Sequence, residues 1–279
     1  MNKPIDSDVI AASTAQVGIG RPHESAHLHV AGAAPYVDDL PELAGTLHCA
    51  LGLSPVAHGV LKGITLDALR AEPGVVAILT ADDIPGVNDC GSIVKDDPIL
   101  ARGEVRYLGQ PVFAVIARTR EVARRVAARA KQALQIEPLP AVIDPLDAHA
   151  KGQYVLPPMH LQRGEARSAI DTAPRRLRGT FEVGGQEQFY LEGQISYAIP
   201  RENDGMLVHC STQHPSEMQH RWRMRSACMR TTFRWNAGAW AAASAARNRS
   251  RLCSPAWPRW PRRSLADRSS CGWIATTTS

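Results

Sequence analysis

Every tryptophan of the chain lies after His220 and every histidine lies at or before it. A chain whose composition changes this sharply at one residue is not read as one fold; its two sides are read separately. Residues 221–279 hold twelve arginines, no lysine and a single acid, Asp267. That tail carries +11, which with a chain total of +5 leaves −6 on the first 220 residues. A body of that sign repels a phosphate backbone, so no nucleic-acid partner is expected for it. A basic-tail nucleic-acid-binding protein stays as an alternative that requires the tail to fold or dock.

Within the body, Cys49, Cys90 and Cys210 are far apart and form no CxxC pair, which speaks against a disulfide framework or a zinc knuckle. The opening MNKPIDSDVIAASTAQVGIG lacks the apolar core of a leader peptide, and no apolar run approaches the roughly 20 residues of a membrane span. A cytoplasmic protein without membrane contact is expected.

The periodicities of the body describe an α/β chain. GVLKGITLDALRAEPGVVAILT reads as a strand through Ile64, a short helix around Leu66 to Ala71, punctuation at Pro73-Gly74, and a buried strand Val75 to Thr80. A second apolar run, Val112 to Ala117, is followed by Thr119. That residue is placed to cap a helix whose Val122, Val126, Ala130 and Leu134 share one face. The two runs are predicted as neighbouring strands covered by a helix from Thr119 to Leu134. HAKGQYVLPPMHLQRGEA reads as a linker, and LRGTFEVGGQEQFYLEGQISYAIP and GMLVHCST read as strands of a second region. Pro215-Ser216-Glu217 suits a helix start.

Three features could carry chemistry. His23-Glu24-Ser25-Ala26-His27 matches the HExxH pattern of a zinc peptidase, which needs both histidines one turn apart on a helix. Pro22 before it and HLHVAGAAPYVDD after it read instead as a loop leading into a strand. Gly184-Gly185 and Gly109-Gln110-Pro111 are either sites of close backbone approach to a ligand or ordinary turns. Gln213, in CSTQHPSE, is a neutral amide able to donate and accept, with a structural hydrogen bond as the plainer reading.

Taken in order, GRPHESAHLHVAGAAPYVDDLPELAGTLHCALGLSPVAHG, PGVVAILTADDIPGVNDCG, LGQPVFAVIA, GGQEQFYLEG and CSTQHPSEMQH resemble the molybdenum-binding subunit of bacterial xanthine dehydrogenase, from about residue 18 to His220. The resemblance implies an α/β (α+β) hammerhead domain followed by the first strands of a molybdopterin-binding domain. By it, Gln213 is the cofactor-binding residue, HESAH holds no metal, and Gln188 stands where many relatives have histidine.

The family's reaction is the hydroxylation of hypoxanthine or xanthine with water as oxygen source. Molybdenum-molybdopterin is its cofactor, and electrons leave to Fe-S clusters and FAD on a partner subunit or domain. An aldehyde oxidoreductase or a CO dehydrogenase large subunit is the alternative within the family.

Past His220 the resemblance stops in amino acids and resumes one nucleotide out of register. The family continues with MGGGFGGKE, which lines the molybdenum site. Joining the last base of each codon to the first two of the next, Trp240 into Ala241 gives GGC, glycine, without any free choice. With the permitted third bases, Ala239 to Asn248 becomes MGGGFGGKE. By the same rule Leu265 to Ser279 becomes AGRPVKLRLDRDDDI. The domains expected are an N-terminal extension over 1–17, the hammerhead over 18–150, a linker and the start of the molybdopterin-binding domain over 151–220, and an out-of-frame, disordered tail over 221–279. No complete catalytic set and no metal site is expected, so the chain is expected to be an inactive fragment of an oxidoreductase family.

Overall fold

The computed structural model describes residues 19–20, 22, 24–91, 93–184, 194–202, 205–210, 216–220 and the backbone of 273–278. The chain divides into two compact units, one of Cys49–Ile84 with Gly91–Leu191 and one of Met1–His48, Pro85–Cys90 and Glu192–Ser279.

The first unit is built around the two apolar runs. Val75–Thr80 forms β3 and Pro111–Ala117 forms β5, paired antiparallel with Val75 opposite Ala117 and Thr80 opposite Phe113. In β5 every residue from Val112 to Ala117 is buried, which is why PVFAVIA shows no alternation: both faces are covered. The strand order here is β3-β5-β1, with β1 at Thr46–Leu53. A second sheet, in the order β4-β2-β6, joins Glu104–Val105, Gly59–Ile64 and Leu134–Pro138 in antiparallel pairs.

Before β3, Gly74 takes φ +89, the left-handed turn that the Pro73-Gly74 pair suggested. Its carbonyl accepts the amide of Arg118 at 2.8 Å, closing the turn against the end of β5. Thr119, in extended conformation, caps the next helix by accepting the Val122 amide at 3.2 Å. That helix covers β5 with Ala123 and Val126, both in the hydrophobic core with Phe113, Val115 and Ile78.

The helix differs from its predicted length. It runs Arg120–Ala127, a separate turn occupies Ala130–Ala133, and Leu134 opens β6. Leu134 keeps the i, i+4 spacing but pairs with Ile64 of β2, so strand pairing overrides the helical period. The prolines that were expected to end the helix instead close a strand.

A longer stretch then follows with little burial. Asp144 caps a short helix at Pro145–Ala150 and another short helix lies at Ala166–Thr172, neither burying a residue. Residues 177–184, expected to be strand, have no regular structure.

In the second unit Gln194–Pro200 forms β7 and Met206–Cys210 forms β8, an antiparallel hairpin with Ser196 opposite Cys210 and Pro200 opposite Met206. Arg201 N–H donates to Gly205 O at 2.8 Å across its turn. Met206, Val208 and Cys210 are buried while Leu207 and His209 are half-buried, the alternation of a half-covered strand. The disordered tail expected over 221–279 does not hold for Trp273–Thr278. This segment, β9, pairs antiparallel with β7 from Gln194↔Thr278 to Ala198↔Ile274. WIATTT is aromatic and β-branched, and backbone pairing asks for no more than that. The rest of 221–279 lies outside the described residues. No described helix is long and apolar enough to cross a membrane.

Candidate cofactor site

Gln213 lies outside the described residues, as do Gly185, Gln188 and the stretch 240–248 whose shifted reading is glycine-rich. The two ends of the segment that carries Gln213 are described. β8 stops at Cys210 and residues 216–220 are helical, consistent with the helix start read at Pro215-Ser216-Glu217. Burial of Cys210 on one side and Met218 on the other anchors both ends of the 211–215 connection.

Beside this connection, Tyr197 and His209 face each other across the hairpin, with ring centroids 6.2 Å apart and planes 23° from parallel. The Tyr197 hydroxyl accepts the Leu43 amide at 3.0 Å, tying β7 to the segment before β1. Burial, and then the charge of Arg201, hold His209 below its ordinary pKa, so its imidazole is neutral at neutral pH. The pair is therefore an uncharged strut. Cys210, Met218 and neutral His209 supply neither a cation nor a cluster of strong donors, which an anionic cofactor requires. The described surroundings of Gln213 do not by themselves fit molybdopterin.

The other sequence candidates resolve as local structure. His23 is outside the described residues, and Glu24 and Ser25 lie in a turn. Ala26–Val30 is a five-residue helix rather than part of a loop entering a strand. Ser25 O accepts the amides of Leu28 and His29 at its start, and Gly32, at φ +66, follows its end. Among the described residues no group of three His, Cys, Asp or Glu is placed to hold a metal. Gly109 takes φ +83 in the turn entering β5, and its amide donates to Ser54 O at 2.9 Å. Buried Gln110 accepts the Arg106 amide through Oε1 at 2.7 Å, so this turn is a structural bracket. Gly184 is exposed, with open space around it.

One titratable cluster escaped the sequence reading. His58 Nδ1 bonds Pro140 O at 2.9 Å and Nε2 bonds Glu104 Oε1 at 3.1 Å, while Arg106 Nε lies 3.5 Å from Glu104 Oε2. The Pro140 carbonyl, then Glu104, raise the His58 pKa, and the His58 bond lowers that of Glu104. These residues lie 46 and 82 positions apart, so no spacing could have signalled them.

Residues 31–139 match the family model described as aldehyde oxidase and xanthine dehydrogenase, a/b hammerhead domain. Residues 147–226 match the molybdopterin cofactor-binding domain. Xanthine dehydrogenase/oxidase of Felis catus is 35% identical over 206 residues, 73% of this chain and 15% of that protein. Aldehyde oxidase 2 of Cavia porcellus is 37% identical over 205 residues, with the same 73% and 15% coverage. The chain thus spans about 15% of the length of these curated relatives.

Quinoline 2-oxidoreductase from Pseudomonas putida 86 superposes with a TM-score of 0.71 at 21% identity, covering 94% of this chain and 34% of that one. For aldehyde oxidoreductase from Desulfovibrio gigas the TM-score is 0.66 at 19% identity, covering 92% and 30%. At such identities these two likenesses speak for the fold alone.

Proposed function

The chain belongs to the aldehyde oxidase and xanthine dehydrogenase family of molybdenum hydroxylases, and from that premise we propose that it carries the hammerhead and the opening of the molybdopterin-binding domain of a xanthine dehydrogenase, followed by that domain's coding sequence read one nucleotide out of register. The observation that carries this reading is the agreement of two boundaries. The cofactor-domain match stops at residue 226, and the composition changes after His220.

The protein in its intact frame hydroxylates a purine, hypoxanthine or xanthine, and passes the electrons to an Fe-S and FAD-bearing partner subunit. When bound, molybdenum-molybdopterin supplies the oxidation chemistry; the protein contributes position and electrostatics. In this chain Gln213 is the cofactor-binding side chain, and it acts alone. One neutral hydrogen bond contributes about 0.5–1.5 kcal/mol net, whereas micromolar retention needs about 8 kcal/mol. The glycine-rich backbone and the glutamate that would make up the difference exist only in the shifted frame. β9 does not oppose this, because its strand rests on backbone pairing that unselected β-branched residues can make.

A second reading, an aldehyde oxidoreductase, is favoured by one observation: aldehyde oxidase 2 of Cavia porcellus matches at 37%, level with the xanthine dehydrogenase matches. A CO dehydrogenase large subunit stands behind it on fold likeness alone.

The test is molybdenum per chain after gel filtration, beside a xanthine-dependent electron-acceptor assay with an aldehyde run in parallel. The 279-residue chain is expected to hold no stoichiometric molybdenum and to turn over neither substrate. Restoring one base near codon 221, with the downstream DNA supplied, is expected to recover both metal and xanthine turnover. Stoichiometric metal and turnover from the 279-residue chain would overturn the proposal.

A further inference from the structure

The least buried part of the described chain is also rich in apolar side chains. Every residue from 151 to 184 is exposed except Ala173, which is half-buried. Val155, Met159, Leu161, Leu177, Phe181 and Val183 all stand in solvent, Val155 at 97% and Phe181 at 91% exposure. Single exposed hydrophobics are ordinary on a soluble protein. A run of them along one arm marks a surface made to be covered. The two helices that flank or interrupt the arm, Pro145–Ala150 and Ala166–Thr172, bury nothing either, so the arm has no core of its own.

Which surface covers it follows from where the arm belongs. By compactness, residues 151–184 fall in the unit that holds the hammerhead core. By family match they fall in the molybdopterin cofactor-binding domain, whose model begins at residue 147. That domain's match ends at 226, and the matched solved structures are about three times longer than the part this chain covers. The arm is therefore a piece of the cofactor-binding domain attached to a chain that lacks most of that domain in frame.

We infer that residues 151–184 are a strap whose apolar side chains dock on the part of the molybdopterin-binding domain encoded, in the restored frame, downstream of codon 220. This inference rests on the out-of-register reading. The occupant is that domain of the same polypeptide; neither a second copy of this chain nor the Fe-S and FAD partner fills the role.

The strap carries its own reporter, because Lys151, Arg163, Arg167, Arg175, Arg176 and Arg178 are trypsin sites within it. Limited trypsin digestion, read by mass spectrometry, is compared between the 279-residue chain and the frame-restored protein, with molybdenum per chain measured on both. Cleavage in the strap is expected to be at least tenfold slower in the frame-restored protein. In that protein, Val155→Asp with Leu161→Asp is expected to bring fast cleavage back, while the same pair leaves cleavage of the 279-residue chain unchanged.

A frame-restored protein that holds molybdenum but is cut in the strap as fast as the 279-residue chain would overturn the inference and leave the functional reading standing. A restored protein without molybdenum would overturn that reading and the strap with it. Independently of the restored gene, the 279-residue chain is digested across a hundredfold range of concentration alongside sedimentation velocity. Strap cleavage that does not change with concentration is the expected result. Protection that grows with self-association would assign the strap to a second copy and overturn the inference.

Discussion

At the scale of single residues, the tightest constraint described is a missing side chain. Gly52 in β1 is buried, and a Cβ placed there would lie 2.2 Å from Cζ of Phe113 and 2.4 Å from both its Cε atoms. Phe113 is fully buried in β5, so the ring cannot simply swing into solvent. Gly52→Ala is expected to lower stability by about 1–3 kcal/mol, the usual cost of overpacking a filled core. Adding Phe113→Leu is expected to recover part of the loss, because the two positions share one space. Urea midpoints of the wild type, both single variants and the double variant check this; a Gly52→Ala midpoint equal to wild type would show that β1 and β5 do not pack as described. Nothing in the sequence marked Gly52, since a close approach across strands depends on which strands become neighbours.

At the scale of elements, the legible parts were those whose signal is local. β3 was readable from a continuous apolar run, and β5 from a run that proved one residue longer. The Thr119 cap was readable because a cap is written in its own first turn. Leu134 was misread because its partner, Ile64, is remote in sequence, and the clasp of His58 was invisible for the same reason.

That clasp ties β2 to β4 and to the chain after β6, and its pH dependence has a definite sign. A histidine whose pKa is raised on folding adds stability that is complete below its unfolded value, about 6.5, and is lost as pH climbs through the raised one. Glu104, lowered on folding, adds stability that is present above its ordinary carboxylate value and is lost as pH falls through the lowered one. The stability advantage of the wild type over His58→Ala should therefore be greatest near pH 5–6 and shrink above neutrality. Denaturation midpoints of both proteins from pH 4.5 to 8.5 read it out, and a difference that does not vary with pH would contradict the clasp.

At the scale of the whole molecule, sequence and structure inform on different parts. The hammerhead core and the β7–β8 hairpin are described, and their α/β class was legible from periodicity. The assembly of one compact unit from Met1–His48, Pro85–Cys90 and Glu192–Ser279 was not, because segments joined only in space leave no mark on a linear composition. Gln213 was singled out by resemblance, and it lies outside the described residues, as does most of the tail.

The central claim, that residues 221–279 are family sequence out of register, is a statement about nucleotides, and the protein already predicts them. The most direct measurement is the DNA sequence of codons 218–250. The account predicts G as the third base of the Ala241 and Ala242 codons, T as that of Ala243, and a shifted reading from Ala239 to Asn248 of MGGGFGGKE. Other bases at those positions, giving a shifted frame without the glycine-rich run, would contradict it.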